Sequence, residues 1–515
     1  MWSRFVGLRL VAAWIVLVAT ALFLRPLLPI DETRYASVAW EMWLRGDLLV
    51  PHLNGLPYSD KPPLLFWLFN LGWWIFGVND AWPRLVPALF ALANLFLTAA
   101  LARRLWPDLP AVARAAPFVL LGFLLWSVFT PMVMFDMLVT FFVLLALLGL
   151  ERARRRGGVL PWLQVGAALG LGILAKGPVV LLVPASVALL APWWGAGGEG
   201  GSRGWRWGLG FAGAVALATA LALAWALPAA QAGGPAYAQA ILFTQTEERL
   251  IHSVAHRRPG WWYLALLPGL LFPYSLWPPL WKALSRLRPR ATDSGDRFAL
   301  SWLFPGFLVF SLVSGKQPHY LLPLLPACAL LAARLLAGAE PELRRWHLLS
   351  PLAVLLLVGT ALAGASFLAG PLGLPAWAAS VSPVIGYVLI GTALLLLFRG
   401  AGLTTLTLSF VTVLSIGFSG AAHRSYDLKP IARYLAELEK HGRPIAYVGD
   451  YHGEFHFLGR LQRPFTEIPL GAERIWIRRH PGGKVIQELR YVPADVDRAE
   501  FIQPYRGETL AVWGS

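Results

Sequence analysis

Two adjacent carboxylates, Asp31 and Glu32 in the run DETRYASVAWEM, follow directly on the first long apolar segment, and SDKPP stands at 59 to 63. Acids can hold or deprotonate a hydroxyl, while Lys and Arg neutralise a phosphate leaving group. A mixture of the two therefore suits a substrate that carries both hydroxyls and phosphate. Further members of such a set are spread along the chain: Asp136 in MFDM, Lys176 in AKGP, His256 and Arg258 in HRRP, and Lys316 and His319 in SGKQPHY. Each also has a plain structural reading. Asp31, Glu32 and Asp136 can stabilise the first turns of helices. Lys61, Lys176 and Lys316 can anchor the ends of spans, and HRRP can meet lipid headgroups. No single residue decides between the two readings, so the case rests on where the elements that carry them place them.

Those elements belong to a membrane. The chain of 515 residues is 57% hydrophobic and 14% charged, with mean hydropathy +0.58, and its apolar runs repeat at the length that spans a bilayer, about 20 residues. The net charge of +16 falls in short loops between these runs, which is the orientation signal of the positive-inside rule and calls for no nucleic-acid partner. A single cysteine, Cys328, leaves neither a disulfide framework nor a cysteine metal site. Arg4 and Arg9 before the first run put the N-terminus in the cytoplasm as a retained anchor, so Asp31 emerges on the other side. Alternation through Arg103 and Arg104, ERARRR at 151 to 156, Arg203 and Arg206, the basic stretch 282 to 297, and Arg344 and Arg345 gives about thirteen spans in residues 1–422. External loops are expected at 26–80, whose Trp, Leu and Phe mixed with charges suit helices lying in the interface, and at 230–260, and the 25 Trp read mostly as interface belts.

This topology collects Asp31, Glu32, Arg34, Lys61, Asp136, Lys176, His256, Arg257, Arg258, Lys316 and His319 on one external face. Charges near the hydrocarbon boundary usually mark a site or a pathway. The outer compartment holds no ATP, so a donor used there must arrive activated, and a lipid-linked sugar phosphate meets that need.

Residues 423–515 differ in kind. They hold 26 of the 72 charged residues and no run long enough to cross a bilayer, so a small soluble α/β domain on the external face is expected. KPIARYLAELEKHG at 429 to 442 reads as an amphipathic helix, and 444–450 and 509–514 read as buried strands. No independent catalytic motif is visible in this domain.

Taken in order, DETRYA, SDKPPLLFW at 59–67, MFDM at 134–137, AKGP, HRRPGWWYL at 256–264 and SGKQPHYLLPLLPACALL at 314–331 resemble the bacterial membrane glycosyltransferases of the C-type fold. Among these the likeness is to the aminoarabinose transferases that modify lipid A and, more distantly, to the protein O-mannosyltransferases of family 39, and it runs over about residues 10 to 335. The resemblance implies an all-α polytopic membrane protein of the GT-C fold in the bacterial inner membrane. Its implied activity is inverting transfer from a polyprenyl-phosphate sugar donor to lipid A, another lipid or glycan, or protein, on the periplasmic face. On that basis Asp31, Asp136 and Glu32 are the candidate catalytic carboxylates, and Lys61, Arg258, His256 and Lys316 would bind the donor phosphate. Arg34, Tyr35, Tyr58, Lys176, His319 and Tyr320 would hold substrate. No cofactor is required. A divalent cation on Asp60 and His256 stays open, although the aminoarabinose transferases usually carry Glu where this chain has Asp60. The alternatives are a metal-dependent oligosaccharyltransferase-like enzyme with Asp31, Glu32 and Asp136 as cation ligands, and a non-enzymatic envelope transporter or assembly protein.

Overall fold

Most of the chain is helix, for the reason its composition gives: long apolar segments in lipid must satisfy their backbone groups internally. The computed structural model describes residues 4–195, 204–244, 257–286, 292–339, 344–371, 373, 380–400, 402–491 and 498–514. Among the described residues six helices are long and apolar enough to cross a membrane: Phe5–Leu24, Trp82–Leu105, Gly204–Leu242, Pro318–Gly338, Arg345–Ala363 and Leu403–Gly420. Five further apolar helices are shorter. Proline and glycine explain part of the difference from about thirteen uninterrupted spans. The apolar stretch 110–129 is divided after Gly122, at Phe123, and the helix Gly204–Gln239 is broken at Gly234, whose φ of 83° only glycine adopts freely.

The first eight helices build the frame of the site: α1 (Arg4–Leu24), α2 (Asp31–Arg45), α3 (Leu64–Phe76), α4 (Trp82–Leu105), α5 (Pro110–Gly122), α6 (Leu124–Phe129), α7 (Asp136–Arg156) and α8 (Leu160–Lys176). The buried Arg84 guanidinium ties α4 to the end of α1 by donating to the carbonyls of Ala21, Leu22 and Arg25 at 3.2, 3.3 and 2.7 Å. This satisfies carbonyls that a helix end leaves without intrahelical partners. α7 and α8 form an antiparallel hairpin through Gly157 and Gly158, at φ 63° and 82°. The first residue of α7 and the last of α8 therefore meet at one end, while the opposite end carries Arg104 paired to the buried Glu151 at 3.0 Å. At about 1.5 Å per residue, α7 separates the two ends by roughly 30 Å.

α2 and α3 are helices within the expected external stretch 26–80, whose mixture of Trp, Leu and Phe with charges suits helices lying in the interface. Between them, β1 (His52–Leu53) and β2 (Leu56–Pro57) make a small antiparallel hairpin. Its tip is Asn54-Gly55, both at positive φ, the pairing that tight hairpins favour. The Glu41 carboxylate accepts from both tip amides, at 2.5 and 3.0 Å.

The C-terminal domain is a mixed five-stranded sheet of β3 (Ile445–Val448), β4 (Thr466–Ile468), β5 (Lys484–Leu489), β6 (Phe501–Tyr505) and β7 (Glu508–Trp513), in the order β4-β3-β5-β7-β6. The β3 pairings to β4 and β5 are parallel, and β7 runs antiparallel to β5 and β6. The expected helix is present as Lys429–Lys440, and its apolar face buries Ile431 and Leu435 against Ile445, Ile486, Leu510 and Val512. The sheet domain sits on the helical body. Ser37 Oγ donates to Gly453 O at 2.6 Å, Trp40 Nε1 donates to Leu461 O at 2.8 Å, and Phe457 stacks on Trp73 at 5.2 Å. The Asn54 side chain exchanges hydrogen bonds with the Phe465 backbone, at 3.1 and 2.7 Å.

Candidate functional site

The adjacent acids of DETRYA are separated by helical geometry. Successive residues of a helix point about 100° apart, so Asp31 and Glu32 cannot face the same surroundings. Glu32, expected beside Asp31 as a catalytic carboxylate, is placed elsewhere: it is buried and fully occupied. Arg25 binds it through both guanidinium nitrogens at 2.5 and 3.0 Å, and the Leu28 and Val133 amides donate to it at 2.7 and 2.8 Å. Burial alone would raise this carboxyl, but Arg25 and the two amides outweigh burial and hold it below the usual carboxylate range. With Arg25 also donating to Pro131 O at 3.1 Å, Glu32 clamps the start of α2 to the turn that leads into α7. It is a correction to the pairing read from sequence: Glu32 turns into Arg25 and two backbone amides and does not stand beside Asp31 as a second open carboxylate. Asp31 remains exposed, with the Tyr35 hydroxyl 3.4 Å from its Oδ1.

Asp136 opens α7 and is buried, and Lys176 closes α8. Their ion pair measures 2.6 Å and uses Asp136 Oδ1, while Oδ2 is buried without a hydrogen-bond partner. Lys176 Nζ stands 4.8 Å from the centre of the Tyr320 ring. Next to Tyr320, the His319 ring packs on Phe129 with centroids 5.5 Å apart. His319 lies within electrostatic range of Asp136, Lys176, Asp31 and Lys61, so the structure brings together residues from five separate stretches of sequence.

Aromatic rings hold this arrangement in register. Tyr58 meets Phe66, Phe66 meets Phe135, and Phe135 meets Tyr35, all edge to face, at 6.3, 5.7 and 4.8 Å. Phe135 directly precedes Asp136, so the chain of rings fixes α2, α3 and the start of α7 together. Burial pushes the Tyr35 and Tyr58 phenols up, which keeps both as neutral donors. Arg34 lies among them with its Nε buried and without a hydrogen-bond partner. Burial would lower the guanidinium, but Tyr58, Asp31, Tyr35 and Asp60 raise it above its ordinary value. Lys61 is half-buried ahead of Pro62 and Pro63 and donates to Asp60 O at 3.3 Å.

Lys316 and Arg258 meet a few residues from His319. Arg258 N donates to Ser314 O at 3.1 Å, and the buried Lys316 ammonium donates to Arg258 O at 3.0 Å and Val313 O at 2.5 Å. Arg257, Arg258, Lys316, Ser311 and Ser314 line an open cleft of about 430 Å³, and the two serine hydroxyls are buried without hydrogen-bond partners. Three cationic side chains and two idle hydroxyls are a donor set for phosphate oxygens. His256 lies outside the described residues. Among the described residues no group of three or more His, Cys, Asp and Glu side chains stands ready for a metal ion. The cation set of Asp31, Glu32 and Asp136 is not assembled, because Glu32 turns into Arg25 and Asp136 into Lys176.

The C-terminal domain enters the site where sequence reasoning saw nothing. Its loop 449–456 lies on α2 next to Arg34 and Ser37, and His452 and Glu454 are within electrostatic range of Arg34. The signal in the sequence is the run GDYHGEFH, in which two glycines at positive φ, Gly449 and Gly453, punctuate polar and aromatic residues.

Comparison with known proteins gives a consistent picture. Residues 60–225 match the family model described as dolichyl-phosphate-mannose-protein mannosyltransferase. An undecaprenyl phosphate-alpha-4-amino-4-deoxy-L-arabinose arabinosyl transferase of Pseudomonas aeruginosa is 34% identical over 307 residues, covering 58% of this chain and 54% of that protein. The Edwardsiella ictaluri protein of the same name is 33% identical over 310 residues, with 59% and 54% covered. The chain thus spans about half the length of the curated relatives it matches. The crystal structure of ArnT from Cupriavidus metallidurans bound to undecaprenyl phosphate superposes with a TM-score of 0.74 at 21% identity, over 99% of this chain and 98% of that one. Its apo form gives 0.73 at 22% identity, over 99% and 97%. The chain has the fold of that structure: a polytopic helical membrane body with a C-terminal sheet domain, as the sequence implied.

Proposed function

We propose that this chain transfers a sugar from a polyprenyl-phosphate donor to an envelope acceptor, lipid A or a related lipid, glycan or protein, at the periplasmic face of the bacterial inner membrane. In this reading the N-terminus is cytoplasmic, and residues 1–422 form the membrane catalytic domain with 423–515 as its periplasmic partner. The observation that carries it is the convergence of Asp31, Lys61, Asp136, Lys176 and His319 at the end of α7 remote from its arginine-rich terminus. The likeness to transferases named for undecaprenyl-phosphate aminoarabinose supports the donor class.

One displacement completes the reaction. The bond from the anomeric carbon to the phosphate oxygen breaks as the acceptor oxygen attacks from the opposite face, which inverts the configuration. The polyprenyl phosphate leaves with its electron pair, stabilised by Lys61 and by Arg258 and Lys316 in the basic cleft. A hydroxyl acceptor gives its proton to Asp31, a general-base contribution of about 100 to 10,000-fold. A phosphate acceptor is already an anion, and Asp31 then orients it or the sugar. Asp136, fixed by Lys176, keeps one carboxylate oxygen for a sugar hydroxyl. The scheme needs no bound cofactor, because the donor arrives activated.

Mass spectrometry of lipid A, envelope glycans and glycoproteins from cells with and without the gene tests this. One class is expected to lose a single-sugar increment, and unchanged profiles in all three would overturn the proposal.

A further inference from the structure

We propose that Asn94 of α4 is a positioning residue for Asp136: its amide sets the rotation of the first turn of α7 and so holds the idle Asp136 oxygen where a sugar hydroxyl can reach it. The inference rests on the reading of Asp136 as a residue that meets the sugar.

Asn94 stands twelve residues after Trp82, the first residue of α4, so it lies roughly 18 Å along a spanning helix. It is fully buried. Its Nδ2 donates to the Met137 carbonyl at 3.0 Å, and Met137 directly follows Asp136. A carbonyl oxygen has two lone pairs, so Met137 O can serve its own helix and accept from Asn94 as well. The reverse setting of the amide would turn Oδ1 onto the Met137 oxygen, two acceptors face to face, so the donor assignment follows from the chemistry. In the setting it adopts, Oδ1 is buried without a hydrogen-bond partner.

A half-satisfied amide in an apolar seam is a poor way to stabilise a fold, because the idle oxygen has lost its water and gained no partner. The seam has apolar contact without it: Phe90 of α4 meets Phe141 and Phe142 of α7 at 5.0 and 6.3 Å. Apolar contact is non-directional and lets a helix turn about its axis, whereas a hydrogen bond fixes a direction. At the far end of α7, Arg104 of α4 holds Glu151 at 3.0 Å. At the near end Asn94 holds the residue next to Asp136, and Thr140 Oγ1 donates to the Asp136 carbonyl at 2.8 Å. A small turn of α7 would swing the Asp136 side chain relative to Lys176, which holds its other oxygen at 2.6 Å. Asn94 thus sets the angle from which Asp136 faces both Lys176 and the sugar.

Asn94→Leu, close in size, removes the donor and the idle oxygen together. Transfer assays should give a kcat about tenfold lower with KM little changed, and a Tm equal to or above that of the wild-type protein. In an Asp136→Asn background the same substitution should add nothing. Asn94→Asp carries a donor only while its buried carboxyl is protonated, so its transfer relative to wild type should hold at low pH and fall as pH rises. A loss of transfer that merely follows a lowered Tm, or an additive loss on Asp136→Asn, would overturn the proposal. Nitrogen NMR of the Lys176 ammonium in the full-length protein reads the same geometry without substrate. The signal should shift in Asn94→Leu and stay in place in Asn70→Leu, which removes another half-satisfied buried amide, between α3 and α2. An unshifted signal in Asn94→Leu would overturn the positioning role whatever the assays show. If the wild-type protein transferred no sugar at all, the functional reading would fail, while the spectrum would still decide the Asn94–Asp136 coupling.

Discussion

Glu32 and Asp136 are both buried carboxylates at the start of a helix, and both face a cation. They differ in how many donors they have. Glu32 receives two guanidinium bonds and two amide bonds, which is near the capacity of a carboxylate, whereas Asp136 receives one ammonium and keeps one oxygen idle. A saturated carboxylate can only hold the fold, while a half-satisfied one in a buried place has capacity left for a ligand. Neither type of residue nor position in the sequence distinguishes the two. The count of hydrogen-bond donors does.

Breaking the saturated pair should have the largest effect on stability. Glu32→Ala leaves Arg25 buried without its partner, at a cost of about 3 to 5 kcal/mol, and thermal unfolding of the purified protein should show a strongly lowered Tm. An unshifted Tm would remove the distinction. Asp136→Asn gives up a single donor pair and should cost about 1 kcal/mol while sharply reducing transfer, so activity and Tm would part company. Equal stability losses in the two variants would show that the idle oxygen has no meaning.

Asp80 sharpens the comparison from the exposed side. It pairs with Lys429 and Arg460 of the C-terminal domain, each at 2.7 Å, but is about a third exposed. Screening reduces such pairs to at most about 1 kcal/mol, so Asp80→Asn should shift Tm least of the three. Burial would raise the Asp80 carboxyl, but Lys429 and Arg460 outweigh it and hold the carboxyl below its ordinary value of 3.8. Its contribution is therefore present above that value and lost as pH falls below it. Domain docking monitored during acidification should weaken less in Asp80→Asn than in the wild-type protein.

The membrane body, the opposed basic and acidic ends, and the gathering of Asp31, Lys61, Asp136 and Lys176 at one end of the bundle were legible, because span direction is read from where Lys and Arg fall and the motifs sit at span ends. Glu32 was misread because two neighbouring acids look alike until helical rotation separates them. Helices in the stretch 26–80 were legible from its Trp, Leu and Phe mixed with charges, but the bounds of α2 and α3 were not, and the hairpin signal of Asn54-Gly55 between them went unused. The role of loop 449–456 could not be read from its spacing. Ser37 and Gly453 are joined by a hydrogen bond across 416 positions, and no local pattern reports such a contact.

The central claim is that the two acids of DETRYA divide their work, Asp31 in the reaction and Glu32 in the frame. Transfer and Tm measured side by side on Asp31→Asn, in vesicles supplied with a polyprenyl-phosphate sugar and acceptor, test it most directly. The account predicts transfer reduced about 100-fold or more with Tm unchanged. Wild-type transfer in Asp31→Asn, or a loss of activity that merely follows a loss of folded protein, would contradict it.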